Sequence, residues 1–567
     1  MRFAHPSVVW LLCLLFVVLG VVPFLPSLAI RGALPASAET PPIPRPPTRP
    51  PEANPPQTGG TYRRALLQDP ATLDPATLSD IYGRTIAQQI YDGLVQFDEA
   101  LAIRPAIASS WKSSRDGLVW TFHLRRGVKF HNGREVTADD FVYSFTRILD
   151  PKVGSEAAEV FLRVQGAKEF AEGRAPNVRG LQALDRYTLK ITLTASSTPF
   201  VTALAVGAAK VIPREAVEQM GKDFGRRPVG TGSFRLKTWD RGKEIILEAN
   251  PDYFGGRPYL DEVVYRIYSG GKLEEILADF KAGFLEDAPI PVKERRQIIE
   301  DKTLQYVRRP ILGIRFFSFN TRVKPLDNPL VRQALVHAVD RTWIARQIYG
   351  DRYLPGVGVL PPGTYGYDPS LPGQEYDPEK ARALLARAGF PNGKGIPPLE
   401  LWSAAGVTFE EFVAEEQAVA KFLGVIGVQV EIKRDTNWPT YKASVYDGRL
   451  PMWRYSWYAD TPDPYSFLHL LFHSKGPHNT TKYRNPDVDA LLDRAEKEPD
   501  YFARVRLYQQ AERIIVRDAP AIVLGYYTFE HIFQPYVRGI QVSALGERYI
   551  PMRHIWLENS RPHTPPK

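Results

Sequence analysis

Two periodicities organise this chain: apolar and polar residues alternating every two positions, and apolar residues recurring every three to four. Val119-Trp120-Thr121-Phe122-His123-Leu124 alternates and predicts a strand. The turn signals Arg126-Gly127 and Asn132-Gly133 bracket a second short strand expected at Val128 to Phe130. Thr137 then caps a helix, with Asp140 as an acidic capping-box partner and Phe141, Phe145 and Ile148 as the apolar stripe; Pro151 stops it. Phe234 to Trp239, the turn Asp240-Arg241-Gly242 and Glu244 to Ala249 read as a hairpin. From Pro378, the positions Ala381, Leu384, Leu385 and Ala388 follow helical spacing, and Gly389 closes that helix. Strand and helix signals alternate throughout, so the expected fold class is α/β. A chain of 567 residues exceeds what one core supports, so two or more lobes are expected.

The densest chemistry lies in Arg454-Tyr455-Ser456-Trp457-Tyr458-Ala459-Asp460 and the following Thr461 to Leu468. Read as a strand, Arg454, Ser456, Tyr458 and Asp460 share one face, while Trp453, Tyr455 and Trp457 share the other. A cation and an anion then lie roughly 20 Å apart on one extended face. That pair complements a zwitterion such as a peptide, with an amine at one end and a carboxylate at the other. A solvated Asp beside an ordinary aromatic core strand is the alternative.

The N-terminus has the layout of a secretory leader. Ser7 to Ile30 is almost wholly apolar and is followed by Ala36-Ser37-Ala38, a small-residue pattern suited to signal peptidase. Cleavage after Ala38 is expected; an uncleaved anchor is the rival, since the run is long enough to span a bilayer. Pro23 and Pro26 interrupt the run and favour cleavage. Cys13, the only cysteine, follows Trp10-Leu11-Leu12 and not the small residues of a lipoprotein box. The mature chain would therefore have no disulfide, thiolate metal site or cysteine nucleophile. Residues 40–56 hold nine prolines and predict an extended tether.

Composition adds exclusions. The net charge of +9 is spread along the chain and not gathered in a basic run, which argues against nucleic-acid binding. The sequence contains no G-x-S-x-G, H-E-x-x-H, Walker or G-x-G-x-x-G motif. Asn392-Gly393-Lys394-Gly395 lacks the Ser or Thr of a phosphate loop and reads as a turn. His469 and His473 are four apart, as zinc ligands on one helix face are, with His478 nearby, but no neighbouring acid completes the set in sequence. Structural or solvated histidines are the plainer reading. Asp460 and Asp463 could imitate a carboxylate pair, yet no positioned nucleophile accompanies them.

Trp457, Asp460, Asp463, Pro464 and Phe467 fit the pattern W-x-x-D-x-x-(D/E)-P-x-x-F. In this the chain resembles the extracytoplasmic solute-binding proteins, family 5, of ABC importers, a group with oligopeptide-, dipeptide- and nickel-binding members. Its likeness is greatest to the oligopeptide-binding type. Trp120 through Pro151 is similar to the family's W-T-F-x-L-R-x-G-V-K-F run, Pro228 to Phe254 to its P-V-G-T-G-x-F hairpin and N-P-x-Y-F. Phe317-Ser318-Phe319-Asn320 with Pro329 to Leu335, and Asn485 to Asp489 with Leu491-Leu492, match its central strand and later helices.

The resemblance implies the two-lobed periplasmic binding protein fold of type II, with an extra subdomain and a ligand cleft between lobes. The implied division is a signal peptide at 1–38, a tether at 39–59, a lobe I core at 60–97, 210–312 and 525–560, its subdomain at 98–209, lobe II at 313–524 and a tail at 561–567. It implies a monomeric, non-catalytic periplasmic protein that captures peptides and delivers them to the permease subunits of an importer, with no cofactor. Asp460 matches the position that meets a ligand's α-amino group, and Arg454 one used toward its carboxylate. Trp457 and Trp438 match pocket aromatics; Tyr458 lies on the Arg454 face, and Tyr526 and Tyr527 lie near another wall. A histidine that some members use for the carboxylate has Glu410-Glu411 in its region here. A nickel-chelate, oligosaccharide or opine-like ligand, a sensor or chaperone role without transport, and a secreted hydrolase are the alternatives.

Overall fold

The computed structural model describes residues 55–270, 272–404 and 410–558. The expected leader, most of the tether and the tail lie outside the described residues. Among those described, no helix is long and apolar enough to cross a membrane.

An eleven-stranded mixed sheet forms the spine. Its axis is a pair of long antiparallel strands, Gln305–Phe319 and Ala521–Phe533, aligned along most of their length. At one end, Gln305 to Pro310 pairs with Phe533 to Thr528, and the latter strand passes hydrogen bonds on to Asp287–Pro289. Thr61–Leu66 and Glu262–Ile267 follow in parallel, then the hairpin Glu244–Ala249 and Phe234–Asp240. At the other end, Ile314 to Phe319 pairs with Met452–Tyr458, which leads to Leu399–Ala404 and Val430–Asp435. The register slips between Pro310 and Ile314, where one half of the sheet passes into the other.

Each half buries its own core. One gathers around Tyr62, Phe234, Ile245 and Val263, the other around Phe317, Phe319, Leu335 and Leu401. A separate four-stranded antiparallel sheet, Ala108–Ser113, Val119–Leu124, Thr188–Thr192 and Leu181–Asp185, packs Phe122, Leu189 and Ile191 against Phe141 and Phe145.

Local sequence explains these elements. The helix Ala138–Leu149 begins where Asp140 accepts the Thr137 backbone N–H at 2.8 Å and the Thr137 hydroxyl at 3.0 Å. The helix Pro378–Arg387 starts at Asp377, whose carboxylate accepts the Lys380 N–H at 2.9 Å. Pro391–Gly393 forms a single helical turn that Lys394 closes. The strand expected at Val128 to Phe130 does not form. Its three residues fold on themselves between the two turns: Phe130 donates to the Arg134 carbonyl and Val136 to the Val128 carbonyl, leaving one bridge, Lys129 to Glu135.

Candidate functional site

The strand Met452–Tyr458 lies beside Gln305–Phe319 and separates two sets of side chains by strict alternation. On one face are Arg454, Ser456 and Tyr458, with Asp460 just beyond the strand. Ser456 shares a 2.7 Å hydrogen bond with the Tyr527 hydroxyl, and the Tyr458 and Tyr527 rings stack at 4.7 Å. Gly313 sits opposite Tyr458 and must be bare: a Cβ there would lie 2.8 Å from the Tyr458 ring and 3.1 Å from Tyr527.

At one end of this face, Asp460 already has partners. Arg84, on the helix Ile81–Ile90, donates to both its oxygens at 3.0 and 2.9 Å. Arg548, on the turn Gly546–Tyr549, donates to Oδ1 at 2.7 Å and to the Ala459 carbonyl at 2.9 Å. Partial burial alone would raise the Asp460 carboxyl, which is 34% exposed; Arg84 and then Arg548 outweigh it and hold the group below the usual carboxylate range.

At the other end, Arg454 donates to Glu415 at 3.0 Å. Glu415, on the helix Glu410–Val425, also meets Arg315 at 2.5 Å and accepts from the Tyr349 hydroxyl at 2.8 Å. Glu415 and Arg315 are 1% and 2% exposed, so both charges are out of water. Burial pushes Glu415 upward, but Arg315 and Arg454 bring it below its ordinary value. The Arg315 guanidinium lies 4.4, 4.7 and 5.5 Å from the ring centres of Tyr349, Tyr353 and Tyr527. Among the described residues, none accepts a hydrogen bond from the buried Arg454 Nη2 or from Arg315 Nε and Nη1.

The structure thus unites Arg454, Tyr458, Asp460 and Tyr527 along one face. It places the other two expected aromatics on the opposite face. Trp457 donates to the Ser466 carbonyl at 2.8 Å and packs 4.6 Å from His478. Trp438, half exposed, stacks on Tyr455 at 6.1 Å. Tyr526 is buried and tied to Gly358 and Val357. Asp463 is no partner to Asp460: it is buried on Arg504.

The histidines divide as well. Asp493, distant enough in sequence to be missed, lies 3.3 Å from His473, and with His469 it makes a compact three-ligand cluster. The His473 Nδ1 accepts the Lys475 backbone N–H at 3.0 Å, which puts the ring proton of neutral His473 on Nε2, the nitrogen facing Asp493. A proton there competes with a metal. Burial, His473 and Arg163 lower His469 to about 3. His478 stands apart on the Tyr446 hydroxyl at 2.7 Å.

Arg84, Arg548, Arg315 and Glu415 were not legible as site residues. Only Arg315 carries a signal: a lone charge inside the apolar run Ile314-Arg315-Phe316-Phe317.

The bacterial extracellular solute-binding proteins, family 5 Middle, match residues 102–479. Heme-binding protein A of Haemophilus influenzae is 30% identical over 81% of this chain and 86% of its own length. The dipeptide-binding protein of Escherichia coli is 29% identical over 81% and 88%. Among solved structures, the periplasmic binding protein DppA from Helicobacter pylori in complex with the peptide STSA superposes with a TM-score of 0.76 at 28% identity, covering 89% of this chain and 99% of that one. The solved relative shares the two-lobed α/β architecture of this chain, whose continuous sheet is described above, and the chain belongs to the bacterial extracellular solute-binding proteins, family 5.

Proposed function

We propose that this protein captures peptide-class solutes outside the cytoplasm and presents them to the permease of an ABC importer. Family membership carries the fold and the binding role. The observation that carries the ligand class is the face running from Arg454 through Tyr458 and Tyr527 to Asp460: charge at both ends and aromatic walls between, as an extended peptide needs. The H. pylori DppA structure was solved with a four-residue peptide, and the relatives' names also include dipeptide, glutathione and haem. In this reading Asp460, Arg454, Tyr458 and Tyr527 line the cleft, Trp457 and Trp438 shape the pockets on the far side of the strand, and the lobes divide near residue 313 and residue 525. The site needs no cofactor and performs no catalysis. Export follows from the leader, with the tether leading to the folded part at about residue 60.

The test is native mass spectrometry of protein purified from its host, followed by calorimetry with peptides of two to five residues. Retained or titrated peptides with Kd in the micromolar range or tighter, about −8 kcal/mol or better, support the reading. Stabilisation by a sugar or metal chelate alone, with no peptide bound, would replace it.

A further inference from the structure

The Arg454–Asp460 face does not present a free cation and a free anion. Asp460 is held by two arginines, Arg84 and Arg548, and Glu415 by two more, Arg315 and Arg454. Four guanidiniums therefore face two carboxylates. The clusters are joined through one aromatic path: Arg315 lies 5.5 Å from the Tyr527 ring, Tyr527 stacks on Tyr458, and Arg548 lies 5.7 Å from the Tyr458 ring. Neighbouring charges leave this excess in place. Glu156 is taken by Lys442 at 2.7 Å, and Glu547 is turned to Arg64 at 3.1 Å.

The unused donors point the same way. Three buried guanidinium nitrogens of Arg315 and Arg454 have no acceptor among the described residues. Among the described residues, the Arg84 guanidinium donates only to Asp460, and only through Nη1. Guanidinium forks take carboxylates bidentately, and a buried unpaired donor gains most from an ionised acceptor. An ammonium approaching Asp460 would instead meet Arg84 and Arg548, at like-charge cost.

We propose that this cleft selects anionic peptide-class ligands carrying an acidic group toward each end, and that Asp460 serves to aim Arg84 and Arg548 rather than to bind a ligand ammonium. This rests on the peptide reading above and narrows it.

Calorimetry on the exhaustively dialysed protein tests it with four probes: tri-alanine, N-acetyl-tri-alanine, Glu-Ala-Glu and Lys-Ala-Lys. Expected are Glu-Ala-Glu about tenfold or more tighter than tri-alanine, Lys-Ala-Lys weakest, and acetylation changing affinity by less than about threefold. The acidic preference should fall as salt rises. In the double variant R84Q/R548Q, acetylation should become unfavourable as Asp460 is freed. Peptide binding that is indifferent to acidic residues, or abolished by acetylation in the unmodified protein, overturns this inference and leaves the peptide reading standing. No binding by any of the four removes both.

Discussion

Arg84 Nη1 lies 2.9 Å from Asp460 Oδ2, joining a helix near the start of the folded chain to the strand end 376 residues later. With Arg548 it makes Asp460 the meeting point of three segments that are otherwise distant in sequence. Further contacts tie the strand's surroundings to the region of the separate four-stranded sheet: Lys442 meets Glu156 at 2.7 Å, and Arg163 donates to the Tyr465 hydroxyl at 2.8 Å. Ligand-coupled closure needs contacts of this kind, each weak enough to be broken when the halves part.

Asp460→Asn should loosen that closure. Pairs as exposed as Arg84–Asp460 contribute up to about 1 kcal/mol each, so the shift is in population and not in folding. Small-angle scattering should show a larger radius of gyration for the variant than for the unmodified protein without ligand. Identical profiles would show that the cluster does not hold the halves together.

The elements around this site were largely legible, because they depend on neighbours in sequence. The Asp240-Arg241-Gly242 turn and the Thr137–Asp140 box each act over three residues and formed as read. Val128 to Phe130 failed for the same local reason: two turns consumed the backbone groups a strand would share. Alternation placed Arg454, Tyr458 and Asp460 on one face, since a strand leaves no other choice. What alternation cannot supply is the partner. Glu415 lies 39 residues from Arg454, and Arg548 lies 88 from Asp460. These pairings are set by how the sheet brings its two ends together, and they change the sign of the charge a ligand meets.

Glu415→Gln should be strongly destabilising. It would leave Arg315 and Arg454 facing each other in a buried site with no anion between them. Breaking a buried pair from one side costs about 3–5 kcal/mol. Denaturant unfolding should show this loss, while Glu410→Gln on the same helix, at an 88% exposed side chain, should stay within about 0.5 kcal/mol. Equal effects from the two substitutions would mean that Glu415 is not the shared counter-ion.

The exported protein should begin at or near Glu39, immediately after Ala36-Ser37-Ala38. N-terminal sequencing of protein from the native host reads this directly. Met1 on membrane-bound protein would make the apolar run an anchor.

Glu512 gives the molecule a pH dependence of unusual sign. It is 1% exposed and accepts the Val359 and Leu360 backbone N–H groups, both at 2.8 Å. Burial pushes its carboxyl up to about 7, against the lowering effect of those two bonds. A carboxyl raised in this way keeps its proton in the folded chain between about pH 4.5 and 7, while the unfolded chain has released it. The folded state then binds more protons, so this group's stabilising effect is full below about 4.5 and is lost as pH rises toward 7. Glu512→Gln, neutral at every pH, should remove that slope. The stability difference between the unmodified protein and the variant should therefore fall by up to about 3 kcal/mol across the window, at about 1.4 kcal/mol per pH unit. Urea unfolding at pH 4.5, 5.5 and 7 measures it. A difference that is flat, or that grows with pH, would mean Glu512 is ionised in the folded protein and held by Val359 and Leu360 as a carboxylate.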